Sequence, residues 1–250
     1  MRLKVIACEV FQPELTQFAE ESPHEADLVF EEVGLHDDPD KLRAAIQALI
    51  VEADGDHYDY VVLGYALCSN GLAGIRAGSV PLVIPRAHDC ITLFLGSRER
   101  YDEEFREHPG TYYYTAGWIA TKGGTDENEL MKSQREARLR SRYEEYVAKY
   151  GEDNAQYLIE QEGLWLQHYN RAALINNGFG DVEQCRQYTR RVAEGHGWEY
   201  AELEGDNGLL LRLLNGPWDE DDFLVVAPGE ETAACYDGSI LCATACAGAP

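Results

Sequence analysis

The chain has no run approaching the roughly 20 consecutive apolar residues that a membrane span needs. Met1-Arg2 lead directly into strand-like sequence, without the long apolar core and small-residue cleavage site of a signal peptide. A cytoplasmic protein without a membrane partner is expected. Positive charge is also scarce. Lys and Arg total 21 against 45 Asp and Glu, a formal net charge of −24 and a pI near 4.5. Such a surface repels phosphate backbones and anionic lipid, so no nucleic-acid partner is expected. There is no Walker A loop and no GxGxxG after the first strand, which disfavours nucleotide binding. Cysteine is present, but seven is an odd number for a disulfide framework. Reduced thiols or metal ligands are the expected state.

What is present is sufficient for a sizeable core: 250 residues, 45% apolar and 10% aromatic. Lys4 to Phe11 reads as a strand ended by Pro13, and Leu28 to Val33 as a second, short one. The acidic stretch between them carries no clear pattern. Asp37 or Asp38 caps a helix with Pro39 in its first turn, and Leu42, Ile46, Leu49 and Ile50 share one face of it. Tyr60 to Leu63 and Pro81 to Ile84 are continuous apolar runs, the pattern of strands covered on both faces. Ile91 to Leu95 fits strand or helix, with Asp89 as a cap favouring helix. Further helices are predicted at 101–107, 126–150, 154–170, 182–195 and 208–214, strands at 172–175, 198–203 and 223–227, and an aromatic strand and turn over 111–118. Alternating strands and helices predict an α/β fold, layered, with a mostly parallel sheet and flanking helices. Residues 1–229 form one α/β domain in this reading, with a break near 110–124 that could divide two lobes. Residues 230–250, with Cys235, Cys242 and Cys246, are expected to be a loosely ordered tail.

Three predicted strands deliver a cysteine at or just beyond their carboxyl ends. Val5-Ile6-Ala7 leads to Cys8-Glu9, Val61-Val62-Leu63-Gly64 to Cys68-Ser69-Asn70, and Leu82-Val83-Ile84-Pro85 to Arg86-Ala87-His88-Asp89-Cys90. Ligands of open α/β sheets bind at that edge. Cys8, Cys68, His88 and Cys90 together make a tetrahedral set for zinc or iron, and three of them with an open position would suit catalysis. Each cysteine taken singly fits equally well as a small buried residue. The same groups offer metal-free chemistry, with Cys68 or Cys90 as the reacting thiol, His88 as its base and Asp89 orienting the imidazole. Glu9, Asn70 and Arg86 are candidates for substrate binding, although Arg86 and Asp89 could equally form an ion pair or helix cap.

Tyr112, Tyr113, Tyr114 and Trp118 could line a pocket, or simply form core and sheet surface. Cys185 falls on a helix and reads as core. Asn176-Asn177-Gly178 follows a strand and is either a turn or part of the same crevice.

Several stretches together resemble one family. They are Ile6-Ala7-Cys8-Glu9, Leu63 to Gly71, Ile84 to Ile91, Leu95-Gly96-Ser97, Gly110 to Trp118 and Phe223 to Val226. On these the sequence is similar to the DUF1638 family of prokaryotic proteins, over most of the chain up to about Gly229. Ala116 departs from the proline expected in Tyr-Thr-Ala-Gly-Trp, and the cysteine-rich tail lies outside the resemblance. The resemblance implies no established activity. It does imply genes placed near corrinoid-dependent methyltransferase systems, hence a link to one-carbon metabolism.

The leading expectation is a metal-binding enzyme acting on a small-molecule substrate or a corrinoid-system protein, with methyl transfer to a thiol as the candidate reaction. A metal-free cysteine enzyme is the second reading, since strand–Cys–Ser–Asn is similar to one corner of two-cysteine amino-acid racemases. A non-catalytic cofactor-binding accessory protein is the third.

Overall fold

The structure is a computed structural model and describes residues 1–122, 140–163, 165–236 and 238–246. It divides into two compact units. The first comprises residues 1–102, 177–180 and 204–250, and the second residues 103–176 and 181–203.

The first unit is built on a five-stranded sheet. Its strands are β1 (Arg2–Cys8), β2 (Glu25–Glu31), β3 (Tyr60–Gly64), β4 (Leu82–Pro85) and, late in the chain, Phe223–Val226. The spatial order is β2-β1-β3-β4 followed by the late strand. The first four run parallel, and the last is antiparallel to β4. The fold is thus α/β with a mostly parallel sheet, as the alternation of elements predicts. All of β4 and Val61 to Gly64 of β3 are buried, which matches their unbroken apolar sequence and places them centrally.

Helix α1 (Gln12–Glu21) starts with Pro13 in its first turn, where a missing N–H costs nothing. It occupies part of the acidic stretch in which the sequence shows no pattern. The reason is compositional: its inward face is Glu14, Leu15 and Phe18, and a buried carboxyl hides the amphipathic signal. Strand β2 correspondingly begins at Glu25, three residues before the first apolar residue of the predicted strand. Helix α2 (Pro39–Ala53) is capped by Asp38, whose carboxylate accepts from the Lys41 N–H at 3.2 Å. It buries Leu42, Ile46, Ile50 and Ala53 and lies against β1. Each large aliphatic contributes about 1.5–3 kcal/mol of gross burial energy. A charge at Ile46 would therefore break the layer. After β4 come α3 (Cys90–Leu95) and α4 (Arg98–Glu107). The Leu-rich helix Gly208–Asn215 packs on β3, β4 and α1 through Leu209, Leu210, Leu213 and Leu214.

Residues 230–236 and 238–246, expected as part of a loose tail over 230–250, carry two strands; 237 and 247–250 lie outside the described residues. Strands Glu230–Ala234 and Leu241–Ala245 pair antiparallel, and a disulfide joins Cys235 to Cys242. The hairpin is fixed by a buried threonine that composition does not reveal. Thr232 Oγ1 accepts from the Ile75 N–H at 2.9 Å and donates to Leu72 O, while the main chain of residues 74–77 pairs with 230–232.

The second unit contains β5 (Thr111–Tyr114), α5 (Ala116–Thr121), α6 (Glu152–Gly163), β6 (Arg171–Asn176), α7 (Val182–His196) and β7 (Glu199–Glu204). Its three strands lie in the order β5-β6-β7, with β5 and β6 parallel. Tyr114, Ile119, Leu174, Cys185, Tyr188 and Val192 form its core, so Cys185 is a packing residue. Residues 140–150 are helical; the rest of the helix predicted at 126–150 lies outside the described residues. No helix among the described residues is long and apolar enough to cross a membrane.

Candidate functional site

The site is assembled at the carboxyl edge of three neighbouring parallel strands. Cys8 is the last residue of β1, Cys68 lies four residues beyond β3, and Cys90 opens α3 after β4. Beyond their ends β3 and β4 continue to pair: the Leu67 N–H donates to Ala87 O at 2.9 Å and the Cys68 N–H to His88 O at 3.0 Å. These two bonds bring the Cys68 loop against the His88-Asp89-Cys90 loop.

Cys68, Ser69 and Asn70 then adopt φ values of 45°, 55° and 67°, three consecutive non-glycine residues in the left-handed region. Such geometry costs about 1–2 kcal/mol per residue and must be held by its surroundings. Arg43 of α2 holds it from outside, donating to Asn70 O at 3.2 Å and to Ala73 O. Gly71 allows the turn to pack closely. A Cβ there would lie 2.6 Å from Leu42 Cδ2.

The three thiols are close enough to perturb one another electrostatically, and each is shifted upward chiefly by burial. Cys8 is pushed up to about 11 and Cys68 to about 12, and Cys90 also rises well above its ordinary value. Asp89 is raised by burial too, against the lowering effect of its hydrogen bonds. Its Oδ1 caps α3 by accepting from the Ile91 N–H at 3.0 Å, and its Oδ2 accepts from the Tyr101 hydroxyl at 2.7 Å. Tyr65 lies among the same groups, sensing Cys8, Glu31, Cys68 and Glu9. It is 3% exposed, and its hydroxyl has no hydrogen-bond partner among the described residues. A buried hydroxyl left without a partner costs about 1–3 kcal/mol.

The other candidates are placed differently. His88 is exposed, and its electrostatic effect is on Asp89. Glu9 Oε1 accepts from the Val33 N–H at 2.7 Å, so this carboxylate braces the loop after β2. The Arg86 guanidinium donates to main-chain carbonyls: Glu220 at 2.9 Å, Phe223 at 3.3 Å, Ser239 at 3.0 Å and also Leu241. Asn70 contributes its carbonyl to the Arg43 contact, with its side chain at an exposed position. Tyr113 and Trp118 belong to the second unit. Trp118 packs there against the core beside Tyr112, with Lys122 Nζ 4.4 Å above its ring. Among the described residues no three His, Cys, Asp or Glu side chains are positioned as a ready-made metal cage.

Two site residues have no signal in sequence patterns. Tyr65 reads as the continuation of an apolar strand, and Tyr101 lies twelve residues beyond the carboxylate it contacts.

A family model described as "Protein of unknown function (DUF1638)" matches residues 30–214. The chain belongs to the DUF1638 family. Cys68, His88, Asp89 and Cys90 fall within the matched DUF1638 region, while Cys8, Glu9 and the terminal hairpin fall outside it. No curated protein and no solved structure matches the chain.

Proposed function

We propose that the chain is a metal-binding cytoplasmic enzyme whose thiols Cys8, Cys68 and Cys90 hold one zinc or iron ion, with His88 as a fourth donor that a substrate can displace. One observation supports this reading: three thiols at or beyond the ends of three adjacent strands, Cys8 buried and Cys68 and Cys90 partly so, lie near enough to act on one another electrostatically. Soft thiolate donors suit zinc and iron, and a cation there would offset the cost of ionising buried sulfur. Ligation requires the sulfurs to draw together from their present spacing. The strained Cys68–Asn70 turn is the element with most to gain by moving.

When bound, such a metal activates a substrate thiol or polarises a small substrate. Methyl transfer to a thiol, in company with a corrinoid-system protein, is the reaction class that fits both the sulfur donors and the one-carbon link implied by the family resemblance. The metal-free alternative uses the same groups, with Cys68 or Cys90 as the reacting thiol and His88 as its base.

Elemental analysis of protein purified anaerobically without a metal-affinity tag tests the proposal. About one zinc or iron per chain is expected, lost in Cys68→Ser and in Cys90→Ser and weakened in His88→Ala. Metal-free native protein, or metal retained in both serine variants, would overturn it.

A further inference from the structure

We infer that the Cys235–Cys242 disulfide is a redox-operated latch on the segment that carries His88, Asp89 and Cys90. It is independent of any bound metal, since it concerns how that segment is held. Two arginines bracket the segment, Arg86 directly after β4 and Arg98 at the start of α4. Arg86 faces two ways. Its Nε donates to Glu220 O at 2.9 Å and Phe223 O at 3.3 Å, whereas its Nη1 donates to Ser239 O at 3.0 Å and to Leu241 O. Arg98 Nη1 donates to Gly238 O at 2.6 Å. All three hairpin carbonyls belong to the stretch that the disulfide closes.

The closed loop keeps those carbonyls on the arginines. The Cys235 N–H donates to Ile240 O at 2.8 Å, and Ile240 is buried with a φ of 63°, a conformation rare for a β-branched residue. Opening the disulfide removes the cross-link that holds this turn, and Ile240 can then relax to extended backbone. Both sulfur-bearing residues are only partly buried, and Tyr236 beside Cys235 is 99% exposed. Exposed disulfides of this kind are the ones that thiol reductants open. A thiolate of a dithiol reductant attacks Cys235 Sγ and the S–S bond breaks. Cys242 leaves as thiolate, assisted by the Ser239 hydroxyl 3.5 Å from its sulfur, and takes up a proton. The second thiol of the reductant then attacks the mixed disulfide, releasing Cys235 as a thiol and closing the reductant's own disulfide. Two electrons and two protons pass to the protein. Arg86 keeps its Nε contacts, so the segment loosens while staying folded.

Hydrogen–deuterium exchange of the full-length chain, with and without excess dithiothreitol, tests the latch. On reduction the amides of α3 and the first turn of α4 should exchange about tenfold faster, while those of β1 and β6 keep their rates. Cys235→Ser/Cys242→Ser should show the fast rate whether or not dithiothreitol is present. Arg98→Met, which leaves the disulfide intact, should reproduce the acceleration at the start of α4 and serves if the double variant fails to fold. Unchanged exchange over α3 and α4 in reduced protein would overturn the inference. So would equal acceleration of β1 and β6, which would make the bond a general staple, or a disulfide that survives dithiothreitol in the folded chain.

Discussion

Asn177 donates its side-chain amide to Glu14 Oε1 at 2.8 Å, joining the loop after β6 to the first turn of α1 within the first unit. The contact is buried on both sides, and Glu14 is 0% exposed. The loop is held in turn by Asn207, whose amide donates to Asn177 O at 3.0 Å. Gly205 leaves the space required, since a Cβ there would lie 2.6 Å from Asn177 Cβ. Among the described residues Glu14 Oε2 has no hydrogen-bond partner. Burial therefore raises Glu14 above its ordinary value of 4.5, despite the stabilising amide.

That shift fixes the sign of a pH effect. The folded state binds the Glu14 proton more tightly than the unfolded chain. Its contribution is complete below the unfolded value of 4.5 and is lost as pH rises through the folded one. Glu14→Gln keeps an acceptor for Asn177 and cannot ionise. Urea denaturation between pH 4 and pH 8 should show the variant gaining stability relative to native protein as pH rises, with the difference smallest at the acid end. Parallel profiles would show that Glu14 is solvated.

The left-handed turn at Cys68–Asn70 gives two opposing stability predictions. Ser69→Gly relieves a side-chain clash worth about 1–2 kcal/mol at a chain-entropy cost of about 0.5–1 kcal/mol. Net stabilisation of about 0.5–1 kcal/mol should appear in denaturant midpoints. Gly71→Ala does the reverse, because its methyl would press on Leu42 Cδ2, and about 1–3 kcal/mol should be lost. A neutral Gly71→Ala would mean that α2 and the turn are not packed as described.

How far the sequence could be read follows from which signals are local. Unbroken apolar runs revealed β3 and β4, and Asp38 and Asp89 were legible as caps because capping lies within three residues of the helix start. The placement of Cys8, Cys68 and Cys90 at or just beyond neighbouring strand ends was legible from the apolar runs alone, since a parallel sheet puts those ends on one edge. What stayed hidden depends on distant partners. Arg86 reads as a site residue next to His88, but its acceptors lie at Glu220, Phe223, Ser239 and Leu241. The order of the last strands depends on Thr232 meeting Leu72 and Ile75, more than 150 positions earlier. Helix α1 escaped because one of its buried residues is a carboxylic acid.

Arg86 and the disulfide should act together on the terminal hairpin. The Cys235–Cys242 bond closes a loop whose Ser239 and Leu241 carbonyls accept from Arg86 and whose Gly238 carbonyl accepts from Arg98 at 2.6 Å. For so short a loop, chain-entropy reasoning gives about 2.5 kcal/mol of stabilisation. Reduction, or the Cys235→Ser/Cys242→Ser double variant, should expose residues 235–242 to proteolysis and lower stability by up to that amount. Arg86→Met should have the same local effect in oxidised protein. If amide exchange in the hairpin is unchanged in both, the clamp is dispensable.

The second unit has its own electrostatic anchor in Arg186 of α7, which grips Glu202 of β7 through two bonds of 2.8 Å. Asn176 adds a third contact to the same carboxylate at 3.1 Å. The guanidinium is the chief reason that Glu202 is held down at about 2. Because the folded value is depressed, the stabilisation is present above the unfolded value of 4.5. It is lost as pH falls through about 2. The pair is largely solvated, so its worth is small. Arg186→Met should lower stability slightly at pH 7 and leave it unchanged at pH 1.5, and it should return the Glu202 carboxyl resonance to ordinary glutamate titration. A Glu202 titration unmoved by the substitution would assign the shift to Asn176 and Tyr200 instead.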